Sequence, residues 1–374
     1  IENIGEKNLI MHMRGYVSFV RGDNPFTFPY KIYPSRFANS ENILLSSEYP
    51  NHMLNGVKIE NGIKYLDIFK TTIGIYQENG YNYIIDSLKQ QLRTINYDNV
   101  ESFGYNMLED PIQALNIIFP NDDFDETIRM HENREDETMS DEEGNSIKSK
   151  DVNKFFNHKL LIGTQGLNNI MTYKNINNPP SKTEFEYKPE IIEKYGRIFS
   201  KEKIGKYSSK IDAILTEING SEGISLIYSE HIDGGIIPMA LALEESGYRR
   251  YGKTKSLFKN APTSKKGTYI VVSGNKHISP NNVDELKAIT KDNNINGEII
   301  KIVIISRAGA EGLDFKYIRQ IHIMEPWYNM NRTEQILGRG VRTCSHIALP
   351  LINEMCKYIY MVHFLMMIQN LLIY

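Results

Sequence analysis

The chain is poor in cysteine, has one tryptophan, carries almost no net charge and contains no long hydrophobic run. Each scarcity removes a class of protein. Two cysteines in 374 residues, Cys344 and Cys356, cannot build a disulfide scaffold and point to a reducing compartment. Neither has the paired spacing of a zinc site, and Cys344 beside His346 has no second pair, so no metal site is expected. A net charge of -3 gives no overall basic footprint, so any nucleic-acid site must be a local groove. The apolar run from Met361 to Tyr374 falls short of the roughly 18 residues a membrane span needs. No secretory signal is visible at the start, and no membrane association is expected. What is present is an apolar fraction of 41% with 24% charged residues, enough to fill a core in an ordinary globular protein.

Organisation varies along the chain. The stretch Asp23-Asn24-Pro25-Phe26-Thr27-Phe28-Pro29-Tyr30 cannot be regular helix, because its prolines break it. Its rings could stack bases, or pack as a connector between lobes, the reading favoured here. The apolar spacing of Ile84, Ile85, Leu88, Leu92 and Ile95 predicts a helix over 81–95, and Ala114 to Phe119 reads as a short strand. Residues 121–151 are rich in Asp, Glu and Ser and predict a solvated, mobile insertion, as a surface loop rather than a functional acidic tail. Ser208 caps an amphipathic helix over 208–218. From there strands are expected at 224–228, 268–273, 300–305 and 319–324, alternating with helices. That is the pattern of a mostly parallel α/β sheet.

Two motifs carry the chemistry. The apolar run 299–305 reads as a buried strand and ends in Ser306-Arg307-Ala308-Gly309-Ala310-Glu311-Gly312-Leu313-Asp314-Phe315. Small-residue loops at the carboxyl ends of parallel strands are where such sheets hold nucleotides and nucleic acids. After one more strand come Gln335-Ile336-Leu337-Gly338-Arg339-Gly340-Val341-Arg342. This places two guanidinium groups three positions apart on an expected helix, sharing a face. Planar cations at that spacing suit a terminal phosphate.

SRAGAEGLDF resembles motif V of superfamily 2 helicases, and QILGRGVR resembles their motif VI. Gly223-Ile224-Ser225-Leu226-Ile227-Tyr228-Ser229 is similar to motif IV. Arg14 to Phe19, Asp23 to Tyr30 and Arg342-Thr343-Cys344-Ser345-His346 resemble, more narrowly, helicases and transcription NTPases of large nucleocytoplasmic DNA viruses, of poxvirus and mimivirus type. The resemblance implies the second RecA-like lobe of a P-loop NTPase-type enzyme, preceded by an α+β linker region. The resulting division is 1–120, connector and α+β segment; 121–151, insertion; 152–207, lead-in; 208–352, lobe; and 353–374, an aberrant tail. The tail lacks caps and charges, and another reading frame resembles the family's next strand, so a frameshift near Asn353 is expected.

The resemblance also assigns roles. Arg339 and Arg342 would be the catalytic arginine fingers, completing an ATP site across the cleft from a missing N-terminal lobe that supplies the phosphate loop and the Mg²⁺ ligands. Gln335, Gly338, Gly312 and Asp314 would line the nucleotide. Ser306 and Arg307 would meet the backbone phosphates of DNA or RNA, and Tyr228 and Ser229 stand between phosphate contact and packing. Trp327 is read as an anchor between helices rather than a stacking platform. The implied settings are viral transcription machinery in a host cytoplasmic factory or a virion. The leading function is an ATP-dependent helicase or translocase; the alternatives are a transcription initiation or termination ATPase and a non-catalytic binding module. Gly247-Tyr248-Arg249-Arg250-Tyr251-Gly252-Lys253-Thr254 matches the P-loop pattern, and a kinase would need it. A helix is expected before it and a loop after it, the reverse of a working P-loop, which needs a strand before and a helix after.

Overall fold

The computed structural model describes residues 28–49, 51, 58–60, 67–93, 108–138, 156–177, 182–252, 256–261, 266–280, 282–308, 313–325, 330–350 and 355–364. Arg14 to Phe19, Gly312 and Trp327 lie outside the described residues. The strands are β1 (Tyr30–Ile32), β2 (Phe69–Thr72), β3 (Met171–Ile176), β4 (Lys182–Tyr187), β5 (Ile224–Tyr228), β6 (Tyr248–Arg250), β7 (Gly267–Val272), β8 (Ile302–Ile305), β9 (Ile318–Ile323) and β10 (Met355–Phe364). Eight of them form one sheet in the order β1-β10-β9-β5-β8-β7-β6, with β2 also on β10. Every pairing within that sheet is parallel. β3 and β4 form a separate antiparallel ribbon.

The central strands are apolar on both faces because helices cover both faces. Ile227, Ile302, Ile304, Tyr269 and Val271 point into one core, while Leu226, Tyr228, Val303, Ile305, Ile270 and Val272 point into the other. The first core is covered by α1 (Ile75–Arg93), α2 (Glu109–Asn116), α6 (Ile204–Tyr207), α7 (Ser209–Asn219) and α8 (Ile237–Glu245). Between α2 and α6 lie α3 (Asp122–Thr138), α4 (Gly163–Ile170) and α5 (Pro189–Lys194). The second face carries α9 (Asn282–Ile289) and α10 (Met330–Gly340). Ser208 Oγ accepts from Ile211 N at 3.1 Å, the expected cap of α7.

Several expectations are corrected. Ala114 to Phe119 is not a strand: α2 runs to Asn116, and Ile117 to Phe119 leave it fully buried and extended without joining a sheet. Their amides are satisfied one by one instead, Ile118 N on Tyr207 O at 3.0 Å and Phe119 N on Leu161 O at 2.8 Å. The first half of the acidic segment is helical, over Asp122–Thr138, rather than a loose loop; 139–151 lie outside the described residues. Phe124 is buried between Tyr76, Tyr83 and Phe156, and Tyr195 Oη donates to Asp122 at 2.6 Å and Asp125 at 2.7 Å. Its apolar residues, Phe124, Ile128 and Met130, all lie in its first half, where Phe124 anchors it to the core. The core that holds Ile84, Ile118 and Leu161 is continuous with Ile227 and Ile304 of the sheet, so packing does not break at 120 or 207.

The expected tail also has structure. Met355–Phe364 forms β10 and pairs with β9 on one side and with β1 and β2 on the other. Its β-branched and aromatic residues suit that place whatever their origin. In the P-loop-like stretch, Gly247 ends α8 with φ 94°, the left-handed conformation a helix-ending glycine takes without strain. The residues after it, inside the motif, form strand β6. A strand inside the motif leaves no phosphate cradle there.

Candidate functional site at the carboxyl ends of the strands

β5, β8 and β9 run parallel, so Tyr228-Ser229-Glu230, Ser306-Arg307 and Met324-Glu325 emerge together at one edge. Glu325 organises that edge. It accepts from Ser229 Oγ at 2.6 Å, from Glu230 N at 2.9 Å and from Asn116 Nδ2. Lys210 of α7 donates to Met324 O at 2.6 Å and to Asn116 Oδ1 at 3.3 Å. Complete burial pushes the Lys210 ammonium down to about 8, against the pull of the Glu325 charge. Gly235 sits against this network, and a Cβ there would collide with Ser229 Oγ and crowd Glu325 Oε1. Only glycine lets that turn close over the pair.

Outside the buried layer, Glu230 draws two arginines together. Arg332 of α10 donates to Glu230 Oε2 at 3.0 Å, and Arg307 lies 3.5 Å from Oε1 with its side chain 64% exposed. Arg307 is therefore the solvent-facing cation of the strand ends. Ser306 is buried, and its amide donates to Val272 O at 3.0 Å. Ser229 spends its hydroxyl on Glu325. Tyr228 is buried, its hydroxyl has no partner among the described residues, and burial holds its pKa well above the usual tyrosine range. For Tyr228 and Ser229 the geometry favours packing and positioning over phosphate contact.

α10 docks on the sheet through Ile336 and Leu337, with Gly340 so close that a Cβ would meet Ile318 and Ile321. The helix ends at Gly340, so Arg342 is not on the shared helical face expected for it. It lies in the following turn, pinned by three contacts. Ser345 N donates to Arg342 O at 3.1 Å, Tyr317 N donates to Ser345 O at 3.1 Å, and the His346 ring lies between Ser345 Oγ (2.8 Å) and Ile318 O (2.7 Å). Burial drives that imidazole down to about 4, so it is neutral near pH 7 and acts as a hydrogen-bonding wedge.

Despite the helix end, the two arginines converge on one segment. Arg339 Nη1 donates to Leu313 O at 3.4 Å, Phe315 N donates to Arg339 O at 3.2 Å, and Arg342 pairs with Asp314. Arg339 Nε is buried without a partner among the described residues. Gln335 is exposed one turn earlier, and nothing lies within 4 Å of a Cβ built on Gly338. The result is an open helix flank with two guanidinium groups beside the loop that follows β8. Among the described residues no group of three or more His, Cys, Asp or Glu side chains could hold a metal ion. Sequence reasoning missed Asn116, Lys210, Glu230 and Arg332. Arg332, seven positions before Arg339, had a helical-spacing signal, whereas Asn116, a distant partner of Glu325, had none.

Comparison with known proteins bears on this same region. Residues 257–344 match the helicase conserved C-terminal domain. A termination factor NPH-I homolog of African swine fever virus is 34% identical over 169 residues, covering 38% of this chain and 24% of that protein. A predicted ATP-dependent RNA helicase of Acanthamoeba polyphaga mimivirus is 31% identical over 214 residues, 56% of this chain and 34% of its own length. The matched segments thus span a quarter to a third of these relatives. The C-terminal part of the Fun30 ATPase domain superposes over 79% of this chain and 84% of that one at 13% identity, with a TM-score of 0.40. The chain resembles helicases of large nucleocytoplasmic DNA viruses, as expected from segments such as Arg342-Thr343-Cys344-Ser345-His346. Among the described residues no helix is long and apolar enough to cross a membrane.

Proposed function

We propose that this chain is the second lobe of an ATP-dependent nucleic-acid helicase or translocase. The observation that carries the reading is the convergence of Arg339 and Arg342 on Leu313 and Asp314, in the segment that leads into β9. Two guanidinium groups on an open flank are suited to the charge that develops as a terminal phosphate is transferred. Gln335 and Gly338 border the same flank, and the Cβ-free surface at Gly338 leaves room for a nucleotide. ATP supplies the phosphoryl group; Mg²⁺ and the phosphate loop come from an N-terminal lobe. The Arg342–Asp314 pair holds the finger in place until the lobes close. Arg307 contacts nucleic-acid backbone, a contact that positions the strand without reading its sequence.

A second reading, a viral transcription initiation or termination ATPase, is favoured by the likeness to the termination factor homolog. A strand-displacement assay on the complete protein separates the two: unwinding supports the first, ATP-driven movement without displacement the second. The shared core of both readings is tested by nucleic-acid-stimulated ATPase of Arg342→Ala in the complete protein. A parental rate there overturns both.

A further inference from the structure

The opposite edge of the sheet holds a second cationic feature. A cavity of about 350 Å³ opens at the amino ends of β6, β7 and β8, lined by Lys201, Ile218, Asn219, Tyr248, Lys266 and Lys301. Among the described residues no carboxylate lines it and none of its three lysines forms an ion pair. Glu202 and Asp212 interact electrostatically with Lys201, and Glu222 with Lys301, without lining the cavity. Lys301 is half-buried, with its Nζ donating to Ser221 O at 2.5 Å, and burial lowers its pKa. Tyr248 Oη, on the floor, donates to Asn219 Oδ1 at 3.0 Å. Three cations from three separate loops, one of them half-desolvated with a single neutral partner, form a site short of negative charge.

We propose that this cavity binds a phosphate group, with Lys201, Lys266 and Lys301 supplying the charge and Tyr248 and Asn219 the polar floor. It opens beside Ile218, a residue of the first core, whereas the helix that carries Arg339 packs on the second, so it is a separate site and does not depend on the function assigned to Arg339 and Arg342. Lysine ammoniums recognise phosphate as point charges, without the planar geometry a guanidinium imposes. The same chemistry serves a backbone phosphate of a single strand or a free polyphosphate. Among the described residues, Tyr248 is the only one of the P-loop-like stretch that lines it.

The test uses the full 374-residue chain and a Lys201→Gln/Lys266→Gln variant, both exposed positions, with thermal melting as the folding control. Lys301→Gln is measured separately because its side chain is half-buried. Binding of a fluorescent thymidine oligonucleotide is followed against salt, and binding of tripolyphosphate by calorimetry. If a strand is the ligand, the double variant shows a salt slope shallower by about 1.4, roughly 0.7 for each lost contact. If a free polyphosphate is the ligand, its binding falls more than tenfold while oligonucleotide affinity stays. Either result supports the site. A variant that retains both affinities and the same salt slope overturns it, as does a parent chain that binds neither probe. Arg307→Ala, at the other edge, is run in parallel; loss there alone supports the proposed function and not this site.

Discussion

The buried ends of β5 and β9 and the open flank of α10 are neighbours built on opposite terms. Around Glu325 every named polar group is matched to another inside the protein, and Lys210 is fully buried. In the turn after α10 a cation reaches outward: the Arg342 side chain is 40% exposed and its partner Asp314 67%. A charge that is buried and paired cannot be offered to a ligand without breaking what holds it, because stranding its partner in a low dielectric is costly. An exposed pair is weak and easily exchanged. The first region sets geometry, and the second is available for chemistry.

Four experiments break or sharpen that contrast. The largest effect is expected for Arg339→Ala and Arg342→Ala in the complete protein: kcat should fall by about 10³–10⁵-fold, as for arginine fingers elsewhere, with ATP affinity changed much less. Lys at either position should not restore the rate, since an ammonium cannot reproduce the planar fork. Steady-state kinetics read both quantities, and a lysine variant at the parental rate would remove the fingers from the mechanism. Next comes Glu325→Ala, which takes the acceptor from Glu230 N and Asn116 Nδ2 and the attracting negative charge from Lys210. A loss of roughly 3 kcal/mol in chemical denaturation is expected, and a change under about 0.5 kcal/mol would show the network to be solvated.

The third concerns pH. Burial holds the Lys210 ammonium down to about 8 in the folded chain, against 10.5 for an exposed lysine. Between those values the unfolded chain binds more protons, so stability rises with pH across that window. Its penalty is complete below about pH 8. Lys210→Met removes the rise, so the parent should gain on the order of 2 kcal/mol relative to the variant between pH 8 and pH 10. Taking the difference cancels the titration of tyrosines common to both. Parallel stability curves would place Lys210 in contact with water. The smallest effect is expected for Asp314→Ala, where an exposed pair contributes about 0–1 kcal/mol. Melting should barely move, and a large drop would mean that Asp314 has a structural role.

How much of this was legible follows from burial. The runs at 224–228 and 302–305 were readable as central strands because a strand covered on both faces is apolar at every position. Ala114 to Phe119 carries the same apolar signature at the same length, yet it is a helix end and a buried extended segment. A short hydrophobic run does not reveal its own geometry. In the acidic segment, Phe124 outweighed the surrounding charge, because a single ring buried against Tyr76 and Tyr83 has more bearing on order than average composition does. Arg339 and Arg342 do not share the helical face expected for them, because α10 ends at Gly340 and Arg342 lies in a turn held by Ser345 and His346.

By itself the sequence determined the parallel α/β class, the neighbourhood of the two motifs and the candidate arginines, because alternation, glycine placement and charge spacing are local properties of the chain. Only tertiary structure decided that Glu325 joins Asn116 and Ser229, that Lys210 is buried beneath the strand ends, and that Lys201, Lys266 and Lys301 surround one cavity. Those groupings depend on which strand ends come to lie side by side. Strand order is set by long-range packing of the sheet against its two layers of helices, and no local pattern records it.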